Sequence, residues 1–288
     1  KKELSDSSFY FFGKGLSPSL FFGDDGVNTS FSNVVGKASD YGSPFLDFAS
    51  RGSFVGGGKK LGNGAIISGA YFKGNHEEEE MSVIKIPSSS GVLIEYKEKY
   101  NNSLMALQVG VLEEPDSFMG SSFSGGYGSI DKTLTYFSGL QASRSFSKFY
   151  ATGSLFYGKS QTNLSETGLI ESLDRFASSS FNLGIFKKSV FDSFDSFGFK
   201  IIQPLRLEEA NIEMSVPVRR TKYKEVLFDK YDLSLTPSGR EIRAEFIYQR
   251  PIPRGSFFTS LGYIKDQGHV SSDKAVPYIA ANWQFYLF

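Results

Sequence analysis

The chain has 288 residues, 31 basic and 31 acidic side chains, and no cysteine. Because the net charge is zero, there is no electrostatic reason to expect nucleic acid as a partner. The lack of cysteine excludes disulfides and thiolate metal sites, and the two histidines, His76 and His269, lie far apart in sequence. We therefore expect no cofactor and no metal centre.

The composition is typical of β-strands rather than helices. Aromatic residues make up 16% of the chain, and 30 glycines together with many serines supply turns and small side chains. No segment approaches the roughly 20 consecutive apolar residues of a membrane-spanning helix. A closed β-barrel is the other fold that satisfies its backbone within lipid. The mean hydropathy of -0.21 agrees with strands that turn half of their residues to a polar interior.

Residues 1–39 show no strand-like alternation and are predicted to form a linker or plug segment. The charges at the start of the chain are not followed by an apolar stretch, so these residues are not a signal peptide. We interpret the chain as the remainder of a longer precursor. In residues 24–35, acidic residues come first, and Phe31, Val34 and Val35 follow at helical spacing, which is compatible with a short helix.

Residues 40–288 show the period-two alternation of strands, in which successive side chains face opposite sides. In the segment 241–249, the apolar side chains of Ile242, Ala244 and Phe246 alternate with charged ones. The other segments predicted to be strands are 44–52, 64–74, 92–99, 105–111, 133–146, 149–161, 178–190, 197–201, 211–219, 231–236, 255–266 and 275–288.

About a dozen strands predict an all-β fold, a transmembrane antiparallel β-barrel of about 12 strands, with residues 40–288 as the barrel domain. The connections at 145–148 and 251–255 are short, whereas 114–132, 162–177 and 220–229 are longer loops. Such asymmetry is expected when one rim faces the periplasm and the other faces the outside. The alternative is a soluble sandwich or barrel, whose small core would be overfilled by so many large apolar side chains.

The chain ends in the strand-like sequence WQFYLF, residues 283–288. A last strand that closes on phenylalanine, with an aromatic residue two positions earlier, is what the assembly machinery of bacterial outer membranes reads on its barrel substrates. Tyr286 and Phe288 are therefore predicted to form a C-terminal assembly signal. The expected location is the bacterial outer membrane, with the lipid bilayer, lipopolysaccharide and the assembly machinery as partners.

Several short motifs occur in a fixed order along the chain. They are DYGSPF (40–45), FMGS (118–121), GGYG (125–128), QPLRLE (203–208), MSVPV (214–218), LTPSGRE (235–241) and DQGH (266–269). In order and separation they resemble motifs of the translocator domains of autotransporters whose passengers are subtilisin-like serine peptidases. Gln267 departs from the family pattern, which has proline there, and Asn282 and Gln284 are polar where its last strand is usually apolar.

The resemblance implies a role in transport and membrane anchoring rather than catalysis. The barrel would be inserted by the outer-membrane assembly machinery, and an upstream passenger domain would reach the cell surface through or beside it. The peptidase residues would lie before Lys1. The alternative is a stand-alone outer-membrane porin or small-solute channel whose interior charges set its ion preference. A third hypothesis is that the chain is a soluble β-protein or enzyme.

A set of charged residues is predicted to face the barrel lumen. It consists of Glu95, Lys97, Arg206, Glu208, Arg240, Glu241 and Arg243. Because paired charges satisfy one another in a wet interior, structural packing is favoured over a selectivity filter. The acidic run 77–80 beside His76 lacks the spacing of a calcium loop and is predicted to be a solvated hairpin tip.

Overall fold

A computed structural model describes residues 2–5, 7–15, 22, 42–49, 52–74, 89–122, 125–173, 175–252 and 255–285. Within them, a 13-stranded antiparallel sheet has the strand order β1-β2-β3-β4-β5-β6-β7-β8-β10-β11-β14-β15-β16. Its strands are β1 (Lys2–Ser5), β2 (Ser8–Lys14), β3 (Ser53–Lys60), β4 (Ile66–Lys73), β5 (Ser90–Tyr100), β6 (Ser103–Pro115), β7 (Gly128–Phe146), β8 (Phe149–Thr167), β10 (Phe176–Lys188), β11 (Ser196–Glu209), β14 (Ile242–Ile252), β15 (Gly255–Lys265) and β16 (Val276–Phe285). Apart from the four-residue edge strand β1, it is a sheet of twelve strands, so the all-β class, the antiparallel pairing and the strand number are confirmed.

The connections between the strands alternate in length. Those at 61–65, 101–102, 147–148, 189–195 and 253–254 are short, and those at 15–52, 74–89, 116–127, 168–175, 210–241 and 266–275 are longer. Because antiparallel strands turn back at alternate edges, all of the short connections lie at one end of the strands, and all of the long ones lie at the other. We call these ends the short-turn rim and the long-loop rim. The predicted asymmetry is confirmed, but the predicted loop 220–229 is wrong, because Val226–Ser234 forms a strand.

A second sheet of three strands extends from the long-loop rim. It consists of β9 (Ile170–Leu173), β12 (Asn211–Arg220) and β13 (Val226–Ser234), in the order β13-β12-β9. The prediction that 211–219 and 231–236 belong to the main sheet is wrong, because β11 pairs directly with β14. Alternation reveals a strand but not the sheet to which it belongs. The register shift next to Pro217 in β12 is the irregularity that a proline without a ladder donor predicts.

The first part of the chain also differs from the prediction. Residues 1–39 contain β1 and β2, and β2 pairs with β3 in the main sheet. This strand was missed because phenylalanines point to both sides of it: Phe11 is buried and Phe12 is exposed. The short helix predicted within 24–35 lies outside the described residues.

The predicted strand 44–52 is wrong. Its first part is a helical turn, α1 (Pro44–Asp47), with Pro44 in the first turn where its missing N–H is no loss. Phe45, Leu46 and Ala49 are buried at helical spacing. In the part of the chain that the structure describes, no helix has the length and apolar character to cross a membrane.

The two faces of the main sheet have inverted polarity relative to a soluble protein. Large apolar side chains are exposed on one face, which we call the outer face: Val55, Ile67, Val92, Ile94, Leu107, Val109, Leu140, Leu155, Leu183, Ile185, Phe246, Leu261 and Ile279. Polar side chains are buried on the other, which we call the inner face: Ser68, Glu95, Gln108, Thr133, Thr135, Gln141, Thr152, Ser154, Ser180, Asn182 and Lys200.

The inner face also carries aromatic rings that lie over glycines of the neighbouring strand. Eight directly opposed cross-strand pairs have this form: Phe9–Gly58, Phe11–Gly56, Phe54–Gly13, Phe72–Gly91, Phe137–Gly110, Phe156–Gly139, Phe186–Gly198 and Tyr278–Gly262. In each pair, a Cβ atom on the glycine would lie between 2.2 and 2.6 Å from a ring atom. The glycines therefore provide the space that the rings occupy.

Candidate functional site

An aromatic cluster occupies the inner face of β2–β8. Its buried members are Phe9, Phe11, Phe22, Phe45, Leu46, Ala49, Phe54, Ala70, Phe72, Leu93, Leu112, Phe137 and Phe156. The helical turn α1 contributes Phe45, whose ring stacks on Phe137 with centroids 4.8 Å apart and contacts the position of Gly158. A segment of the connection between β2 and β3 thus packs against the inner face and fills part of the space beside it.

A charged cluster lies at the long-loop rim, on the opposite half of the sheet. Its members on β11 lie on the outer side of the sheet, because Arg206 pairs with Ser179 and Ser179 pairs with the exposed Tyr157. It brings together three of the motifs: 203–208 from β11, 235–241 before β14, and 266–269 between β15 and β16. We call it the rim cluster, and its members are Gln203, Arg206, Glu208, Arg240, Glu241 and His269. Sequence separation gave no indication that these segments meet, since 33 residues separate Arg206 from Gly239, to whose carbonyl it donates.

Arg206 ties the connection before β14 to the end of β11. Its guanidinium is buried, with Nε donating to the Gly239 carbonyl at 2.9 Å and Nη2 donating to the Pro237 carbonyl at 2.8 Å. Nη1 donates to Glu208 Oε2 at 2.6 Å. The planar fork of arginine matches this set of acceptors, which an ammonium group cannot reproduce.

Arg240 and Glu208 extend the same network toward solvent. Arg240 donates from Nη2 to Glu208 Oε2 at 2.6 Å and from Nη1 to Gln203 Oε1 at 2.5 Å. Ser179 on β10 donates a further hydrogen bond to Glu208 Oε1 at 2.6 Å. One carboxylate therefore receives two arginines and a hydroxyl, which is the mutual satisfaction expected of charges at a partly wet surface.

His269 joins the 266–269 turn to both other segments. Its Nδ1 accepts a hydrogen bond from the backbone N–H of Glu241 at 3.0 Å, so Nε2 carries the proton and donates to the Leu205 carbonyl at 3.1 Å. Burial lowers the pKa of His269, and the Leu205 carbonyl and the Glu241 carboxylate oppose this only in part. The ring is thus a neutral structural link between three segments.

Glu241 and Asp266 hold the same turn from the other side. Glu241 is buried, and it accepts hydrogen bonds from Arg243 Nε and from the Gly268 N–H, each at 2.5 Å. Asp266 accepts from the backbone N–H groups of Ser272 at 3.1 Å and Arg240 at 3.3 Å. The hydrogen bond from Ser272 is the main reason that the pKa of Asp266 is lowered.

The predicted lumen charges Glu95 and Lys97 lie elsewhere, on the inner face of β5 toward the short-turn rim. Both are buried, their charged atoms are 3.5 Å apart, and Gln108 on β6 donates to Glu95 at 2.7 Å. Of the seven residues, Glu95 and Lys97 thus share the inner face with Arg243, which pairs with Ile202, whereas Arg206 lies opposite Ser179 on the outer side of β11. Only five of them come together, in the rim cluster and at the adjacent Arg243.

One charged group of the inner face was missed by sequence reasoning. Lys200 on β11 and Glu245 on β14 face each other at 2.8 Å, and the hydroxyl of Tyr278 on β16 also donates to Glu245. Lysine at position 200 and glutamate at position 245 each follow the polar phase of a predicted strand. That signal could have identified the pair, but only if the direct pairing of β11 with β14 had been known.

The contacts of the rim cluster fix the connections at the long-loop rim to the end of β11. The described residues contain no group of His, Asp and Glu side chains that could hold a metal ion. Tyr286, Phe288, His76 and the acidic run 77–80 lie outside the described residues.

Comparisons with protein-family models, with curated proteins and with solved structures each find no significant match for this chain.

Proposed function

We propose that the chain is a β-barrel of the bacterial outer membrane that serves as the translocator and anchor domain of an autotransporter. The observation that carries the proposal is the inverted polarity of the main sheet. Its outer face exposes isoleucine, leucine, valine and phenylalanine, while Glu95 and Gln108 on the inner face are each only 1% exposed. Water is a poor solvent for such an outer face, and the hydrocarbon interior of a bilayer is a good one.

The same distribution supports closure of the sheet into a barrel. A single sheet hides one face along its whole width only if it is covered by another layer or curves around that face. Apart from α1, the described residues offer no covering layer over the inner face. Twelve strands, an even number, with short connections at one rim and long ones at the other, are also the pattern of bacterial barrels.

Two features favour a translocator over an open channel. The aromatic cluster and α1 take up part of the interior that a porin would leave to water. The rim cluster is built from the segments 203–208, 235–241 and 266–269, which carry the resemblance to autotransporter translocators. In this proposal the long-loop rim faces the outside, the assembly machinery inserts the chain through its C-terminal signal, and an upstream passenger is displayed at the cell surface.

A pair of substitutions on β14 tests membrane insertion. Phe246 is exposed on the outer face, and Phe246→Arg would place a charge in hydrocarbon at a cost of about 2–4 kcal/mol if the position is at mid-membrane. Arg243→Gln changes a half-buried side chain on the inner face, and it should be mild because the glutamine amide can still donate and Glu241 keeps its hydrogen bond from Gly268. The readout is the heat-sensitive mobility of folded barrel on electrophoresis after extraction with detergent. Equal effects of the two variants, or recovery of the chain in the aqueous phase without detergent, would overturn the proposal.

The translocator role has its own test in cells that produce the full precursor. Protease added to intact cells should digest a passenger encoded before Lys1, and Phe288→Ala should reduce both assembled barrel and surface passenger. A precursor in which only a signal peptide precedes Lys1 would instead support the channel.

A further inference from the structure

A groove on the outer face stands apart from everything that anchoring or translocation requires. It opens between β6 and β10, close to the short-turn rim, with a volume of about 960 Å³. Its floor is made of small residues on β7 and β8. Ala142 and Gly153 form one cross-strand pair. The next outward-facing pair toward the short-turn rim is Arg144 and Ala151.

Larger side chains enclose this floor on three sides. Met105 on β6 and Leu183 on β10 occupy the same row as the Ala142–Gly153 pair and stand at either side of it. Leu140 and Leu155 close the end toward the middle of the sheet. The side walls are three strand spacings apart, about 14 Å, which is wide enough for the hydrocarbon chains of a lipid.

The open end of the groove is basic. Arg144 and Lys187 point outward there, and Lys148 lies in the turn between β7 and β8. One acidic residue, Glu98, also lines the groove, and its carboxylate already accepts a hydrogen bond from Tyr96 at 3.0 Å. The described residues provide no ion pair for Arg144.

The depth of Arg144 distinguishes it from an ordinary rim charge. Phe146 and Phe149 stack at 5.8 Å across the turn, and Lys187 lies 5.7 Å above the ring of Phe149. Aromatic rings at strand ends mark the level of the headgroups in membrane barrels. Arg144 and Phe146 are successive outward-facing residues of β7, and Arg144 is the one further from the turn. Its guanidinium therefore lies at or just below the level of the headgroups, where its charge needs an anion.

We propose that this groove binds an anionic phospholipid of the leaflet at the short-turn rim, with an acyl chain over Ala142 and Gly153 and the phosphate against Arg144 and Lys187. The inference rests on the proposed membrane location. Arginine forms bidentate hydrogen bonds with phosphate, and its charge compensates the anion. A second copy of the chain fits less well, because a two-fold contact through this patch brings Arg144 and Lys187 close to their own counterparts.

The experiment uses the full chain, folded and placed in nanodiscs of phosphatidylcholine with a minor share of phosphatidylglycerol. Native mass spectrometry reports which lipids stay bound on release from the disc. We expect the wild type to retain phosphatidylglycerol over phosphatidylcholine by about tenfold after correction for composition. Arg144→Gln should reduce this preference to near one. Ala151→Leu, which fills the floor, should remove retention of both lipids.

The matched control is Lys59→Gln. Lys59 is exposed at the short-turn rim on β3, in the outward phase of that strand, and is far from the groove in strand order. It should leave lipid retention unchanged. An unchanged preference in Arg144→Gln, unchanged retention in Ala151→Leu, or a wild-type dimer that Ala151→Leu dissociates would each overturn the lipid site. A chain that never enters the nanodisc would count against the membrane proposal itself.

Discussion

The aromatic cluster and the rim cluster lie on different halves of the main sheet, and different interactions hold them together. On the inner face of β2–β8, rings lie over glycines and exclude water, as in Phe156 over Gly139. At the long-loop rim of β11–β15, charged groups join the segments, and Arg206 donates to two carbonyls and a carboxylate. Packing tolerates little change of volume, whereas a charged network tolerates change of volume but not the loss of a partner.

The largest expected effect comes from emptying the aromatic cluster. Phe156 is 1% exposed and packs on the inner face. Phe156→Ala should lower the free energy of unfolding by about 3–5 kcal/mol, because it removes a buried ring and leaves a cavity. Urea unfolding in detergent micelles measures this change in the free energy of unfolding. Leu155→Ala, one residue away on the exposed outer face, is the control, and a comparable loss there would contradict the division into faces.

Removal of one partner from the rim cluster should have the next largest effect. Arg206→Leu leaves the carbonyls of Pro237 and Gly239 without this donor and removes one of the donors to Glu208, at a cost of about 2–3 kcal/mol. Arg206→Lys should recover only part of this, since the fork is lost. Arg250→Gln breaks an exposed pair with Asp192 and should change stability by less than about 1 kcal/mol. If the two arginines behave alike in urea unfolding, the rim cluster is not a structural unit.

A smaller loss of stability is expected when a single methyl group is added to the aromatic cluster. In Gly139→Ala the new Cβ would lie 2.2 Å from the ring of Phe156, so the ring must shift, at about 1–2 kcal/mol. Gly62→Ala is the control, because its Cβ would meet nothing within 4 Å. The double variant Gly139→Ala with Phe156→Leu should be more stable than the sum of its single changes predicts. Simple additivity would show that the pair does not interact.

The smallest expected effect is a dependence of stability on pH that arises from His269 in the rim cluster. Burial lowers the pKa of His269 in the folded chain below the ordinary value of about 6.5 that holds when it is unfolded. The unfolded chain therefore takes up the proton first, and stability falls as the pH decreases from about 6.5 through the lower folded pKa. His269→Gln should flatten that part of the profile of unfolding midpoint against pH. A profile identical to that of the wild type would show that His269 stays uncharged for another reason or is not coupled to unfolding.

The sequence predicts the long strands well where one face is apolar and the other polar. The segments that became β5, β6, β7, β8, β10, β14 and β15 all show that alternation, and the structure has strands there. The sequence does not predict β2 and β3. In these strands, Phe11 and Phe12 point to opposite faces, and glycines of β3 lie under the rings. In such strands both faces are apolar or small, so a period-two pattern does not appear.

The rim cluster could be predicted only in part. Glu241 and Arg243 follow the polar phase of the predicted strand 241–249, and Arg206, Glu208 and Arg240 lie in the motifs, but the position of β12 and β13 in a separate sheet follows from neither. That placement brings β11 next to β14, and it decides which charges meet. The role of His269 depends on two backbone partners from distant segments, for which a single sequence has no signal.

The opposed rings and glycines constrain how the sequence of this protein can evolve. A larger residue in place of any of these glycines is tolerated only if the ring across from it becomes smaller, and a lost ring leaves space that only a larger neighbour refills. The eight pairs should therefore change together among homologues, each as a linked two-residue exchange. Independent drift at the two positions is the outcome that this packing disfavours.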